Sequence, residues 1–306
     1  MLITVAICSW NRARLLADAL QTIRHASTRT RADLEVVVVD NNSTDHTEQV
    51  IQDARNDLPL VPVFESRPGL SHARNAAVRA SRGDYIVWTD DDVRVDANWL
   101  RAYERAFAAH PEAVFFGGPV EPWFLGTPPR WLSAARREVE KVFAAVDHGP
   151  EAFEIRERSR LPFGANFAVR RDEQRAFHYD SRLGRQPGAY WLAGEEYLLL
   201  RALLEQGREG WWVPEARVRH LVTRDRQKFR VLLAHGIGNG RTFARINPDM
   251  GQGRRRFGRP VWLWKSFGKA AREAVATRLR EGPEVWVPKC YEASVLAGRL
   301  RESGRS

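Results

Sequence analysis

Asp90, Asp91 and Asp92 stand in a row, and three adjacent carboxylates raise one another's pKa unless a cation sits among them. A hard divalent ion, Mg2+ or Mn2+, selects carboxylate oxygen and commonly completes its shell with phosphate oxygens. Solvated acidic turns and helix caps also use aspartate, so the triplet alone leaves both readings open. Three further residues bear on the choice. Trp10 can stack on a base, Asp40 can accept from a base N–H or a ribose hydroxyl, and Arg74 can meet a phosphate. Each has a plain alternative: core packing for Trp10, a helix cap for Asp40 and a surface cation for Arg74. Their joint placement on one side of one sheet is what favours a ligand.

The elements that must position these residues alternate between strand and helix. Strands are predicted over 3–8, 34–39, 61–64 and 85–88, and helices over 12–26, 47–54 and 71–80, the last capped by Ser71. Leu15, Leu16, Ala19, Leu20 and Ile23 form one helical stripe. Val36 to Val39 is apolar throughout, as in a strand buried on both faces of a parallel sheet. Repeated β-α-β units predict a doubly wound α/β sheet with right-handed crossovers. Ligands of such sheets bind beyond the carboxyl ends of the strands. Those ends carry Ser9-Trp10-Asn11-Arg12, Asp40-Asn41-Asn42 and the aspartate triplet, a carboxylate-rich rim.

Further along, a helix over 97–109 and a strand over 114–116 precede an irregular excursion, Gly117 to Pro162, expected to pass over the site. Phe163 to Val169 returns to sheet, Glu195 to Gln206 is a helix, and Trp211 to Val213 and Val218 to Val222 are closing strands. Helices over 228–246, 262–279 and 289–300 complete the chain.

Charge divides the 306 residues unevenly: 29 Lys/Arg against 31 Asp/Glu through residue 220, then 19 against 7. A basic tail of this kind attracts phosphate on nucleic acid, on an anionic membrane or on a substrate, or is merely solvated. A nucleic-acid binder stacking bases on Trp262, Trp264 and Trp286 explains the tail but not the acidic rim, so no nucleic-acid partner is expected. Helices bearing Trp262, Trp264 and Phe267 beside Lys265, Lys269 and Arg272 suit peripheral docking on an anionic inner membrane face, unless the aromatic side packs inward. Two cysteines, Cys8 and Cys290, exclude a disulfide framework. No long apolar run or secretory leader is visible, and a reduced, cytoplasmic location is the expectation.

Four segments carry a resemblance. Ala6 to Arg12, Glu35 to Asp45, Gly69 to Asn75 and Gly83 to Asp92 resemble, in order, the motifs of the family 2 glycosyltransferases with the GT-A fold. The likeness covers about residues 1–222 as the catalytic domain, leaving 223–306 as a basic, mainly helical extension. It implies a metal-dependent, inverting transfer from a nucleoside-diphosphate sugar, a UDP-sugar favoured, to a glycan or lipid-linked acceptor hydroxyl. It further implies that Cys8, Trp10, Arg12, Asp40, Asn42, Arg74, Asp90, Asp91 and Asn166 surround the donor. Asp90-Asp91-Asp92 would be the "DxD" motif, with Asp92 closest to the metal, Asp90 also a ligand, and His220 a third. The family's Glu-Asp pair carrying the general base corresponds to Glu195 and Glu196 within Trp191 to Leu198, so a Glu stands where Asp is usual. That departure leaves open a donor-binding but catalytically silent protein, and an acidic first helical turn is the plain alternative.

Overall fold

The computed structural model describes residues 1–185, 192–247 and 253–304. Its chain opens with β1 (Leu2–Ser9), α1 (Ala13–Ser27), β2 (Asp33–Asp40), α2 (Thr47–Ala54), β3 (Leu60–Phe64), α3 (Leu70–Ala80), β4 (Tyr85–Thr89), β5 (Val93–Val95) and α4 (Trp99–Ala109). There follow β6 (Phe115–Gly117), β7 (Val120–Phe124), α5 (Arg130–Ala134), α6 (Arg136–Val139), β8 (Phe153–Glu154), β9 (Asn166–Arg170) and α7 (Arg171–Ala176). The last elements are α8 (Glu195–Glu205), β10 (Gly210–Trp212), β11 (Val218–Val222), α9 (Phe229–Ile246), β12 (Arg255–Arg256), β13 (Arg259–Pro260), α10 (Val261–Arg280) and α11 (Pro283–Glu302). They divide into two compact units. The first comprises Met1–Trp123, Ala144–Arg182 and Glu195–Leu221, the second Phe124–Phe143, Leu183–Gly194 and Val222–Ser306.

The first unit is built on a mixed eight-stranded sheet, in order β3-β2-β1-β4-β9-β6-β10-β8. β3, β2, β1 and β4 run parallel, while β9 is antiparallel to both β4 and β6. Alternation along the strands sends side chains into two cores. Val5, Ile7, Val36 and Val38 pack with Leu16, Leu20 and Ile23 of α1 and with Trp99, Tyr103 and Phe107 of α4. Ala6, Val37, Val39, Ile86 and Trp88 pack with Ala73, Ala76 and Ala77 of α3 and with Leu199, Leu200 and Leu203 of α8. Both faces are covered, as expected of a doubly wound fold. β3 lies at the sheet edge, where Pro62 deprives the ladder of nothing.

Several expectations need correction. Ser71 does not cap α3: Gly69, at φ 130°, occupies that position and Ser71 is buried inside the helix. β9 starts at Asn166, and Phe163 to Ala165 form a turn closed by Asn166 N–H donating to the Phe163 carbonyl at 3.0 Å. α11 starts at Pro283 and runs through Pro288.

The basic extension packs with part of the expected excursion. Leu132, Ala135, Val139 and Phe143, drawn from the expected excursion, share a core with Val222, Leu232 and Val287. Within this second unit α9 and α11 lie nearly backbone to backbone: a Cβ on Gly240 would strike the Val295 carbonyl, and one on Gly298 the Ile237 carbonyl. Arg241 and Arg245 donate through Nε to the Glu302 carboxylate at 2.7 and 2.6 Å, fastening the end of α11 to α9.

Candidate active site

β1 and β2 pair in register to Ser9 and Asp40, so their last residues share one rim of the sheet. After β4, the Asp90 backbone carbonyl accepts from Val93 N–H at 3.3 Å and closes a turn that carries Asp91 and Asp92. β5 leaves the turn and pairs antiparallel with β11, setting Val93 opposite His220. His220 Nε2 thereby lies 3.3 Å from Asp92 Oδ1. Asp91 Oδ2 accepts from Ser9 Oγ at 2.8 Å. Arg12 Nη1 reaches both carboxylates, 2.8 Å from Asp91 Oδ1 and 3.0 Å from Asp92 Oδ2. Burial pushes the Asp91 carboxyl up to about 6, against the pull of the Arg12 guanidinium.

The loops behind this rim are tied to one another. Asn11, at φ 53°, accepts from Thr44 N–H through Oδ1 at 2.7 Å and donates its own N–H to Ser43 Oγ at 2.9 Å. Asp40 Oδ1 accepts from Ser43 N–H at 2.9 Å, closing a turn in the loop; it does not cap α2, which starts at Thr47 after His46. Asn41 links three segments: Nδ2 donates to the Glu65 and Arg67 carbonyls and Oδ1 accepts from Gly69 N–H. Asn42, at φ 64°, points into solvent, as does 45% of Trp10. Trp10 is therefore not core. Burial pushes the Cys8 thiol up to about 12, which keeps it neutral.

A second group converges beneath α8. The Arg74 guanidinium is buried, its Cζ 5.2 Å from the Trp88 ring and 5.6 Å from those of Phe167 and Tyr179. It is thus no surface cation. Its Nε lies 3.6 Å from Glu195 Oε1. Among the described residues, Arg74 Nη1 and Glu195 Oε2 are buried with no hydrogen-bond partner. Burial, reinforced by Glu196, pushes the Glu195 carboxyl up to about 7. Gly164 admits both charges: a Cβ there would lie 2.9 Å from Arg74 Nη2 and 3.2 Å from Glu196 Oε1. Glu195 is buried, whereas Glu196 retains solvent access.

Asn166 departs from its expected role. Its Oδ1 accepts from Trp99 Nε1 and Tyr103 Oη, both at 2.8 Å, and its Nδ2 donates to the Pro119 and Ala216 carbonyls at 3.0 and 2.6 Å. A side-chain amide has two donor hydrogens and two acceptor lone pairs, so nothing remains for a donor substrate. Asn166 is a strut under the Gly164 turn. Asp90 is half-buried at the start of its turn. Among the described residues no three His, Cys, Asp or Glu side chains converge as a ready-made metal cage; Asp92 and His220 form a pair. Trp191 lies outside the described residues.

Sequence reading missed Tyr179, which flanks Arg74 and is held by backbone bonds in both directions to the Asn75 side chain. It also missed the locking role of Asn41. The only available signal was a pair of asparagines after a buried strand.

A mixed sheet wound on both faces, with acidic and cationic groups gathered at strand ends, is a doubly wound α/β fold whose ligand rim lies beyond the carboxyl ends of its strands. The chain belongs to glycosyl transferase family 2, whose model matches residues 4–172, and it is a glycosyltransferase. It is 24% identical over 244 residues to a glucosyl-dolichyl phosphate glucuronosyltransferase of Haloferax volcanii, spanning 78% of this chain and 75% of that protein. It is 31% identical over 133 residues to the succinoglycan biosynthesis protein ExoM of Rhizobium meliloti, 42% of each chain. A mannosyltransferase from Pyrobaculum calidifontis, solved with GDP-Man and Mn2+, shares the GT-A fold at 19% identity and a TM-score of 0.64, over 97% of this chain and 86% of that one. Among the described residues no helix is long and apolar enough to cross a membrane.

Proposed function

We propose that the protein transfers a sugar, with inversion, from a nucleoside-diphosphate sugar to a hydroxyl of a glycan or lipid-linked acceptor, assisted by Mn2+ or Mg2+. The supporting observation is the 3.3 Å approach of His220 Nε2 to Asp92 Oδ1. Neighbouring ligands of an octahedral ion with bonds of about 2.1 Å stand roughly 3 Å apart, so the donor set fits such an ion. Two protein ligands leave room for phosphate oxygens and water, the usual shell of Mg2+ at nucleotide sites. When bound, the ion neutralises charge developing on the departing diphosphate.

The protein's own groups then divide the work. Trp10 offers an exposed ring to the base, and Asp40 has its Oδ2 to accept from base or ribose. Arg12 balances Asp91 and Asp92, and its guanidinium is the cation offered to the donor phosphates. Glu196 takes the proton of the acceptor hydroxyl as its oxygen attacks the anomeric carbon. Glu195, buried against Arg74, positions that helix start instead of serving as base. The names of the relatives, one with a dolichyl phosphate-linked substrate and one in succinoglycan biosynthesis, support a lipid-linked or polysaccharide acceptor. A UDP-sugar remains the first donor to try.

The test is transfer from a panel of UDP- and GDP-sugars with Mn2+, with the product's anomeric configuration read by NMR. The expected product has the configuration opposite to that of the donor. Glu196→Gln should lower kcat by about 10²–10⁴-fold, the span of one general base, with donor affinity unchanged. Retained configuration, or an undiminished kcat, refutes the assignment.

A further inference from the structure

The second unit displays an ordered cationic hairpin tipped by phenylalanine. β12 and β13 pair through Arg255 with Pro260 and Arg256 with Arg259. Phe257 and Gly258 make the tip, in the left-handed region at φ 52° and 74°. A bulky residue rarely adopts that conformation without support. The support comes from the hairpin's base, all within its own unit. Val261 N–H donates to the Arg254 carbonyl at 2.8 Å, the Trp264 indole N–H to the Arg256 carbonyl at 3.2 Å, and Arg259 Nε to the Leu300 carbonyl at 2.6 Å. The result holds Phe257 77% exposed.

α10 follows the hairpin directly and carries an exposed stripe of its own. Trp262, Lys265, Lys269, Arg272, Ala276 and Leu279 follow at helical spacing and all are exposed, Leu279 by 80%. Phe267, expected on this face, is half-buried instead. Between residues 253 and 280 stand nine Lys/Arg and one acidic residue, Glu273. Glu273 is engaged by Lys269 at 3.8 Å and Lys289 at 3.2 Å. The exposed acids Glu281 and Glu284 lie past the far end of α10 from the hairpin.

We infer that the Arg254–Pro260 hairpin and the exposed stripe of α10 form a docking surface for an anionic phospholipid bilayer. Phe257 and Trp262 enter the headgroup–acyl boundary while Arg254, Arg255 and Arg256 meet lipid phosphates. Two observations favour lipid over nucleic acid. The Arg256 guanidinium lies 5.2 Å from the Phe257 ring and that of Arg259 5.8 Å from the Trp264 ring, so a base stacking on either ring would compete with a resident cation for one of its faces. Val275 and Leu279 are exposed aliphatics, which suit an acyl boundary and have no counterpart on a phosphate backbone. The inference stands apart from the catalytic reading, because its test needs no turnover.

The experiment is co-sedimentation of the full chain with vesicles of phosphatidylcholine alone or mixed with phosphatidylglycerol, at 0.1 M salt. The protein should pellet with the anionic vesicles only. Each surface arginine contributes on the order of fivefold to such binding, so Arg254→Gln/Arg255→Gln/Arg256→Gln together should weaken it by about 100-fold. Phe257→Ser should weaken it by about fivefold or more, at any salt. All four side chains are exposed, and unchanged melting temperatures would show that the variants fold. The inference is overturned by equal pelleting with neutral vesicles, by none with anionic ones, or by variants that bind like wild type. It is equally overturned if these substitutions abolish a single-stranded RNA gel shift and leave vesicle binding intact.

Discussion

Arg74→Met probes the buried pair where α3, β4 and α8 meet. Methionine can keep an aliphatic stem among Trp88, Phe167 and Tyr179 while removing the charge 3.6 Å from Glu195. Stranding one partner of a buried ion pair costs about 3–5 kcal/mol if the other stays charged. Glu195 has an alternative, which is to take up a proton. Burial and Glu196 already raise its carboxyl from 4.5 to about 7 with Arg74 present; without Arg74 the value moves higher. Between these two values the folded protein binds more protons than the unfolded chain, so stability falls as pH rises through that window. At about 1.4 kcal/mol per unit the fall amounts to about 3 kcal/mol, and in the variant it continues above pH 7. The destabilisation should therefore be about 3–5 kcal/mol at pH 8.5. At pH 5.5 it should shrink to the lost cation–π contacts, about 1–2 kcal/mol. Urea unfolding followed by tryptophan fluorescence at the two pH values measures the difference. Arg74→Met/Glu195→Gln should remove the pH dependence. A single-variant destabilisation equal at both pH values refutes the reasoning.

Asn166→Ala orphans four buried partners, at about 1–3 kcal/mol each when left unsatisfied. It should lower stability by at least about 4 kcal/mol in the same urea assay, whereas a solvent-facing ligand residue would cost far less. Gly240→Ala drives a methyl group into the Val295 carbonyl. It should cost about 1–3 kcal/mol as overpacking, seen as a lower melting temperature with glycosyl transfer assayed alongside.

Much of the first unit was legible in sequence because its signals are local. Val36 to Val39 is apolar on both faces and proved to be a strand covered on both faces. The stripe through Leu16, Leu20 and Ile23 fixed the buried side of α1. Strand ends also placed the aspartates, since the rim of a parallel sheet follows from its topology. What escaped notice depends on distant partners. The Asn166 amide is claimed by Trp99 and Tyr103, more than sixty residues earlier, and no pattern near Asn166 announces them. Leu132 and Val139 gave no sign that they would pack with Val287. Pro288 marks a helix break by propensity, yet burial of Val287 in that core carries α11 through it. The hairpin of β12 and β13 has only two residues per strand, too few for any alternation to show.

The central claim is that Asp92 and His220 together hold a divalent ion against the donor diphosphate. Mn2+ titration followed by electron paramagnetic resonance, with UDP or GDP present, measures it directly. Wild type should bind Mn2+ more tightly with the nucleotide than without. Asp92→Asn and His220→Gln should each weaken that binding by at least about tenfold, the scale already reached on losing an outer-sphere partner. Unaltered Mn2+ affinity in both variants, with nucleotide still bound, would contradict the account.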